Sequence, residues 1–194
     1  MKLPAVLQRN YVKTGVIIAV AILAVLLFWY GLSFVYGTEH PILAVASESM
    51  EPVLYKGDLI LIEGVDNAAA IQVGTKDAEH PGDIIVFHKP GGPDELIVHR
   101  AVQRIDNGDG TYSFKTRGDN NAVTDWWEVK ERAIVGRYLD FKVPWLGNIA
   151  LFFVPFEVKV AFIALWIILL IMVEFIPLTK KRFKRGGDDA SLYK

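Results

Sequence analysis

The chain has 194 residues, 52% of them hydrophobic, with a mean hydropathy of +0.29 and a formal charge of −1 at pH 7. It contains no cysteine, which excludes a disulfide framework, a thiol nucleophile and thiolate zinc sites. The apolar excess lies in two blocks near the ends, a distribution that implies membrane spans around one soluble domain.

Residues 1–15 are expected to form a short cytoplasmic N-terminus. Residues 16–36 follow, with no charged side chain, and their 21 residues suffice to cross a hydrocarbon core of about 30 Å. Trp29, Tyr30 and Tyr36 stand toward the far end, where amphipathic rings favour the membrane interface. A cleaved secretory signal is the competing reading. Its apolar region would be about 7–15 residues long and be followed by a small-residue cleavage site, and this block fits neither condition. A retained anchor is therefore expected.

Residues 37–142 read as one mainly β domain. Apolar or β-branched runs predict strands at 41–46, 58–63, 83–88, 96–105, 111–116 and 133–139. Asn107-Gly108-Asp109-Gly110 predicts a hairpin turn before the fifth of these. The polar, Ala-rich connection from Gly64 to His80 is equally compatible with a loop and a short helix. These 106 residues, with six short strands, are enough for one compact β domain.

Residues 143–155, broken by Pro144 and Pro155, are expected to lie at the interface or against the domain. A second transmembrane helix is expected at 156–177, followed by a basic cytoplasmic tail at 178–194. Lys2, Arg9 and Lys13 precede the first span, and Lys180, Lys181, Arg182, Lys184 and Arg185 follow the second. Under the positive-inside rule both termini are cytoplasmic and the domain is extracytoplasmic. Residues 37–157 hold 11 Lys and Arg against 19 Asp and Glu, a net charge of −8, which disfavours nucleic acid as a partner.

Three stretches carry candidate chemistry. In Ser47-Glu48-Ser49-Met50-Glu51-Pro52, a proline fixes the chain just after Ser49, as a nucleophile requires; the same residues could simply make a turn. His99 lies within a predicted strand, a rigid support for a general base, although a lone strand histidine can equally be a packed structural residue. Gly118-Asp119-Asn120-Asn121-Ala122-Val123-Thr124-Asp125 reads as a turn that supplies two carboxylates. It lacks the EF-hand pattern, and no histidine pair has metal-ligand spacing, so neither metal nor cofactor is expected.

The order Ser-x-Ser-Met-x-Pro, Lys-Gly-Asp-Leu, Pro-Gly-Asp-Ile-Ile-Val-Phe, Ile-Val-His-Arg and Gly-Asp-Asn-Asn-Ala-Val-x-Asp, over roughly Pro41 to Tyr138, resembles the type I signal peptidase family. Histidine in Ile97-Val98-His99-Arg100 is similar to the archaeal and endoplasmic-reticulum branch, where the usual bacterial branch has lysine. The resemblance implies a signal-peptidase-like β catalytic domain between two transmembrane helices, in a prokaryotic, archaeal-type cell membrane. It implies Ser49 as nucleophile, His99 as general base and Asp125 as the acid that orients it. Asp119 is implied as a second acid of the site, Ser47 as an oxyanion donor, and Ser49 and Met50 as further contacts to oxyanion or substrate. Glu48 departs from the glycine common in the family.

The implied activity is removal of N-terminal signal peptides from secreted and membrane precursors at the outer membrane face. The implied partners are those precursors, the lipid bilayer and the protein-translocation channel. Two other readings stand beside it: a non-catalytic membrane-anchored peptide-binding or accessory module, and a related serine protease dedicated to a specialised precursor. A sortase-like transpeptidase is excluded by the absence of cysteine.

Overall fold

A computed structural model describes residues 5–169 and 172, which divide into two compact units on either side of the Asn148–Ile149 bond. In the first unit, helix α1 (Ala5–Tyr36) precedes strands β1 (Ile42–Ala44), β2 (Leu59–Glu63), β3 (Ile84–Lys89), β4 (Gly92–Asp106), β5 (Tyr112–Arg117), β6 (Val129–Lys130) and β7 (Ile134–Val143). They form one seven-stranded sheet in the order β1-β2-β7-β3-β4-β5-β6, with every pair antiparallel. A mainly β architecture with one N-terminal apolar helix is thus established.

Helix α1 starts well before residue 16, because Ala5 to Lys13 contains neither proline nor glycine to stop it. Among the described residues it is the one helix long and apolar enough to cross a membrane, over Val12–Tyr36. Val20, Leu27, Phe34 and Val35 are all exposed, as in a helix that faces lipid rather than a protein core. Gly37, at φ 61°, ends the helix in the left-handed conformation that glycine adopts without penalty. The exit is then pinned to the sheet: Gly64 N–H donates to Tyr36 O at 2.7 Å and Thr38 Oγ1 to Val135 O at 3.0 Å.

All six predicted strands are present, within a few residues of their expected limits. β3 explains the general pattern. Its side chains alternate between two apolar clusters, Ile84 and Val86 joining Val45, Met50, Leu54, Ile60 and Ile62, while Ile85 and Phe87 join Ile71, Ala101, Phe114 and Val129. A strand buried on both faces requires an unbroken apolar run. The connection from Gly64 to His80 is a loop containing one turn of 3₁₀ helix at Ala68–Ala70, capped by Asn67. β6, two residues long, has no period for sequence to display.

In the C-terminal stretch, α2 (Gly147–Phe152) occupies part of the expected interfacial segment. Residues 156–169 are helical and, Val158 apart, exposed, and Phe152, Phe153, Phe162 and Trp166 make successive edge-to-face ring contacts. The expected second span, 156–177, falls partly outside the described residues, and the expected basic tail at 178–194 falls wholly outside them.

Asp58 closes the loop between β1 and β2. Burial pushes its carboxyl up, but the Tyr55 N–H at 3.0 Å and the Lys142 ammonium at 3.0 Å overcome that and hold it below its ordinary value. A carboxyl depressed by folding stabilises the fold above its unfolded pKa of about 3.9, and loses that contribution as pH falls through the folded value. Unfolding of the domain at acid pH is therefore expected to be less steep in Asp58→Asn than in the parent chain below pH 4. Thermal unfolding by circular dichroism from pH 7 to pH 2 measures this, and the parent is expected to be the more stable protein at pH 7.

Candidate active site

Ser49 lies in the loop between β1 and β2. The loop closes at its base through Val45 N–H to Asp58 O at 2.9 Å and Gly57 N–H to Val45 O at 2.8 Å. The next residue, Met50, is buried in the core, and Leu54 N–H returns to Met50 O at 2.9 Å. A buried anchor directly after Ser49 leaves the serine half-buried at a fixed point. Met50 also borders the cleft described below.

His99 is carried by β4, where it pairs with the fully buried Ile85. Its Nδ1 lies 2.7 Å from Asp125 Oδ2 and its Nε2 lies 3.2 Å from Ser49 Oγ. An ionised carboxylate can only accept, so the neutral ring carries its proton on Nδ1 and offers Nε2 as acceptor to the Ser49 hydroxyl. With that hydroxyl proton engaged, the contact of 3.1 Å between Ser47 Oγ and Ser49 Oγ has Ser47 as donor.

Asp125 is held by two bonds from one residue of β5. Thr116 Oγ1 donates to Asp125 Oδ2 at 2.7 Å, and Asp125 N–H donates to Thr116 O at 2.9 Å. Thr116 is wholly buried, and both the His99 and Asp125 side chains are 8% exposed. The 118–125 loop is also fastened to the serine loop. Asn120 donates its N–H to Ser49 O at 2.9 Å and its Nδ2 hydrogen to Glu48 O at 3.2 Å. Gly118 makes the approach possible: a Cβ there would come within 2.5 Å of Ser49 O.

Asp119 stands elsewhere. Both its carboxylate oxygens are taken by Arg100, from Nε at 2.8 Å and Nη2 at 2.6 Å, and Arg100 Nη1 donates to Gly82 O at 2.6 Å. Successive strand residues project to opposite faces, so Arg100 and its partner carboxylate lie away from the imidazole of His99. The Glu48 side chain is exposed, and its backbone carbonyl is what meets Asn120. Thr116, Asn120 and Arg100 did not stand out from sequence. Only the adjacency of Arg100 to His99, and of Asn120 to Asp119, was there to draw attention to two of them.

Ser49, His99 and Asp125 border a cleft of about 480 Å³ that runs between the β1 end, Ala44 to Ser47, and the Glu95–Val98 part of β4. Pairing of β4 with β5 begins only at Arg100, so its earlier residues keep one edge without a strand partner. β1 is likewise a sheet edge. Two facing edges can accept an extended peptide by strand addition. Among the described residues no group of three or more His, Asp or Glu could hold a metal ion.

A hydroxyl bonded to an imidazole that is bonded to a carboxylate is the linkage used by serine peptidases. The profile of the family described as signal peptidase, peptidase S26, matches residues 9–103. The signal peptidase complex catalytic subunit SEC11C of Homo sapiens is 34% identical over 142 residues, covering 69% of this chain and 67% of that protein. The signal peptidase complex catalytic subunit sec11 of Dictyostelium discoideum is 36% identical over 119 residues, covering 61% and 58%. SEC11 of Leptosphaeria maculans is 30% identical over 135 residues, covering 64% and 70%. The chain belongs to the signal peptidase family, in its endoplasmic-reticulum and archaeal-type branch, and is a serine hydrolase.

Thr116→Val removes the hydroxyl at nearly constant volume and leaves Asp125 with one anchor fewer. A hydrogen bond to a charged group contributes about 1.5–3 kcal/mol, so kcat is expected to fall by about tenfold or more with KM little changed. Thr116→Ser is expected to retain most of the parent kcat. Steady-state cleavage of a labelled precursor separates the two constants, and equal losses in both variants would contradict this role for the hydroxyl.

Proposed function

We propose that this signal peptidase cleaves its precursors with Ser49 as nucleophile, His99 as general base and Asp125 as the group that orients and stabilises the imidazole. The observation that carries this reading is the continuous linkage of 3.2 Å and 2.7 Å from the serine oxygen through both ring nitrogens to a carboxylate. Ser49 Oγ attacks the scissile carbonyl carbon while its proton passes to Nε2 of His99. The imidazolium is stabilised by Asp125, and collapse of the tetrahedral intermediate returns that proton to the leaving amine. Water then hydrolyses the acyl-enzyme by the same proton path.

The developing oxyanion is met by the Ser49 N–H and the Ser47 hydroxyl, each such donor worth about 3 kcal/mol to the transition state. Asp119 serves as a positioning residue: its ion pair with Arg100 ties the 118–125 loop to β4. Met50 helps form the floor of the cleft, and its backbone continues the serine turn.

The substrates are precursors that carry a signal peptide. Their small residues at the first and third positions before the cut enter the cleft, with the backbone added to a strand edge. Helix α1 serves as membrane anchor, and the exposed apolar helix at 156–169 belongs to a second membrane segment. Both termini are cytoplasmic and the domain at 37–142 faces the opposite side, as the basic flanking residues favour. The relatives are named as catalytic subunits of a signal peptidase complex, which supports partner subunits for this chain as well. A non-catalytic peptide-binding module is disfavoured, since binding alone needs no aligned hydroxyl, imidazole and carboxylate.

Ser49→Ala and His99→Ala are expected to lower precursor cleavage by at least about 10⁴-fold, and Asp125→Asn by a comparable factor, with circular dichroism unchanged. Cleavage of a labelled precursor in detergent, with the cut site read by mass, measures this. Parent-like cleavage by Ser49→Ala would refute the assignment.

A further inference from the structure

The cleft contains charged side chains that the proposed reaction does not use. Four charged or titratable residues border it. His99 and Asp125 belong to the catalytic end, and Lys89 and Glu95 lie at the other. Lys89, the last residue of β3, donates from Nζ to Glu95 Oε2 at 2.7 Å. Between the two ends the β4 side of the cleft is apolar, with Leu96, Ile97 and Val98. The pair is 36% and 59% exposed, so a bound peptide can reach it.

The direction of the substrate follows from its chemistry, and this step rests on the peptidase reading above. Signal peptides share an apolar stretch and small residues before the cut, so the side before the cut is the one a lined channel can select on. The register then follows from strand geometry. β4 pairs regularly with β3 from Arg100 to Leu96 and its register shifts beyond Leu96, so Glu95, four residues before His99, lies at most about 14 Å from it at 3.4 Å per residue. A substrate strand alongside β4, with its reacting residue beside His99, brings its fifth residue before the cut beside Glu95. The first, third and fifth residues of an extended peptide share one face, as do His99 and Ile97 in the regular part of β4, and Glu95, just beyond it, borders the same cleft at its ion pair with Lys89. The first two positions are those where small side chains are required, and the fifth meets the ion pair.

We propose that Lys89 and Glu95 form a specificity subsite that selects a polar residue at the fifth position before the cut. A polar side chain there hydrogen-bonds to the ammonium or the carboxylate. A leucine there covers the pair and strips it of water without replacing the lost hydrogen bonds. The subsite thereby measures where the apolar stretch of a signal peptide must have ended, and rejects segments whose apolar run extends too close to the cut.

The test uses the full-length chain in detergent and two labelled precursors that differ only at the fifth residue before the cut, glutamine in one and leucine in the other. The parent chain is expected to cleave the glutamine precursor with kcat/KM about tenfold higher. A Lys89→Met, Glu95→Leu double variant is expected to bring the ratio close to one, chiefly by faster cleavage of the leucine precursor. Glu95→Gln, which conserves shape, narrows the ratio in the same direction and serves if the double variant is unstable. The exchanged pair, Lys89→Glu with Glu95→Lys, is expected to restore discrimination. Equal cleavage of both precursors by the parent, or a ratio untouched by every one of these variants, overturns the subsite alone. A parent chain that cleaves neither precursor overturns the subsite and the peptidase reading together.

Discussion

Both nitrogens of one buried imidazole must be occupied at once, by groups from two loops that are far apart in sequence. His99 meets Ser49 from fifty residues upstream and Asp125 from twenty-six downstream. Tolerances in such a chain of hydrogen bonds are a few tenths of an ångström, so neither loop can be free. The structure meets the constraint by bonding the loops to each other as well as to the sheet. Asn120 holds the carbonyls of Glu48 and Ser49, Gly118 lets the backbones touch, and Thr116 fixes the carboxylate from a buried strand position.

The two acids of the 118–125 loop illustrate how burial sorts charges. Each is paired with one of two adjacent residues on β4, Asp125 with His99 and Asp119 with Arg100. The Asp119–Arg100 pair is buried and bidentate, and Arg100 also donates to the Gly82 carbonyl. Buried pairs of this kind add little net stability, but removal of one partner strands the other in a low-dielectric interior. The pair therefore specifies where the loop sits more than how stable it is. Its opposite placement on the strand keeps the guanidinium from competing with the imidazole for Asp125.

Much of this was legible in the sequence, for identifiable reasons. β3 announced itself because a strand buried on both faces must be continuously apolar, and the β4–β5 hairpin because Asn107-Gly108-Asp109-Gly110 supplies the turn, with Gly108 and Gly110 at positive φ. Ser49, His99 and Asp125 were named from motif order and resemblance, and they do stand in one hydrogen-bonded chain. What the residues by themselves could not give was pairing, and only the family resemblance singled out Asp125 as the partner of His99. Nothing local distinguishes Asp119, on Arg100, from Asp125, on His99. Thr116 is one of many strand threonines until its partner is known, and Lys89 and Glu95 acquire meaning only when a hairpin brings them to one cleft. The uncharged run at 16–36 marks a candidate span and not the helix limit, since α1 extends back to Ala5 through residues without a helix breaker.

The apolar helix and the β domain are joined directly. The α1 exit is hydrogen-bonded to the sheet at Gly64 and Val135, so the apolar helix meets the β domain through direct contacts rather than a slack linker. The central claim is that the bond to the precursor forms at the oxygen of Ser49. Acid quenching of a single turnover with a slowly deacylating ester analogue of a precursor, followed by proteolysis and mass spectrometry, reads this directly. An adduct of the segment preceding the cut, located on the peptide that contains Ser49, is the expected result. An adduct on another residue, or turnover with no covalent species when deacylation is rate-limiting, would contradict it.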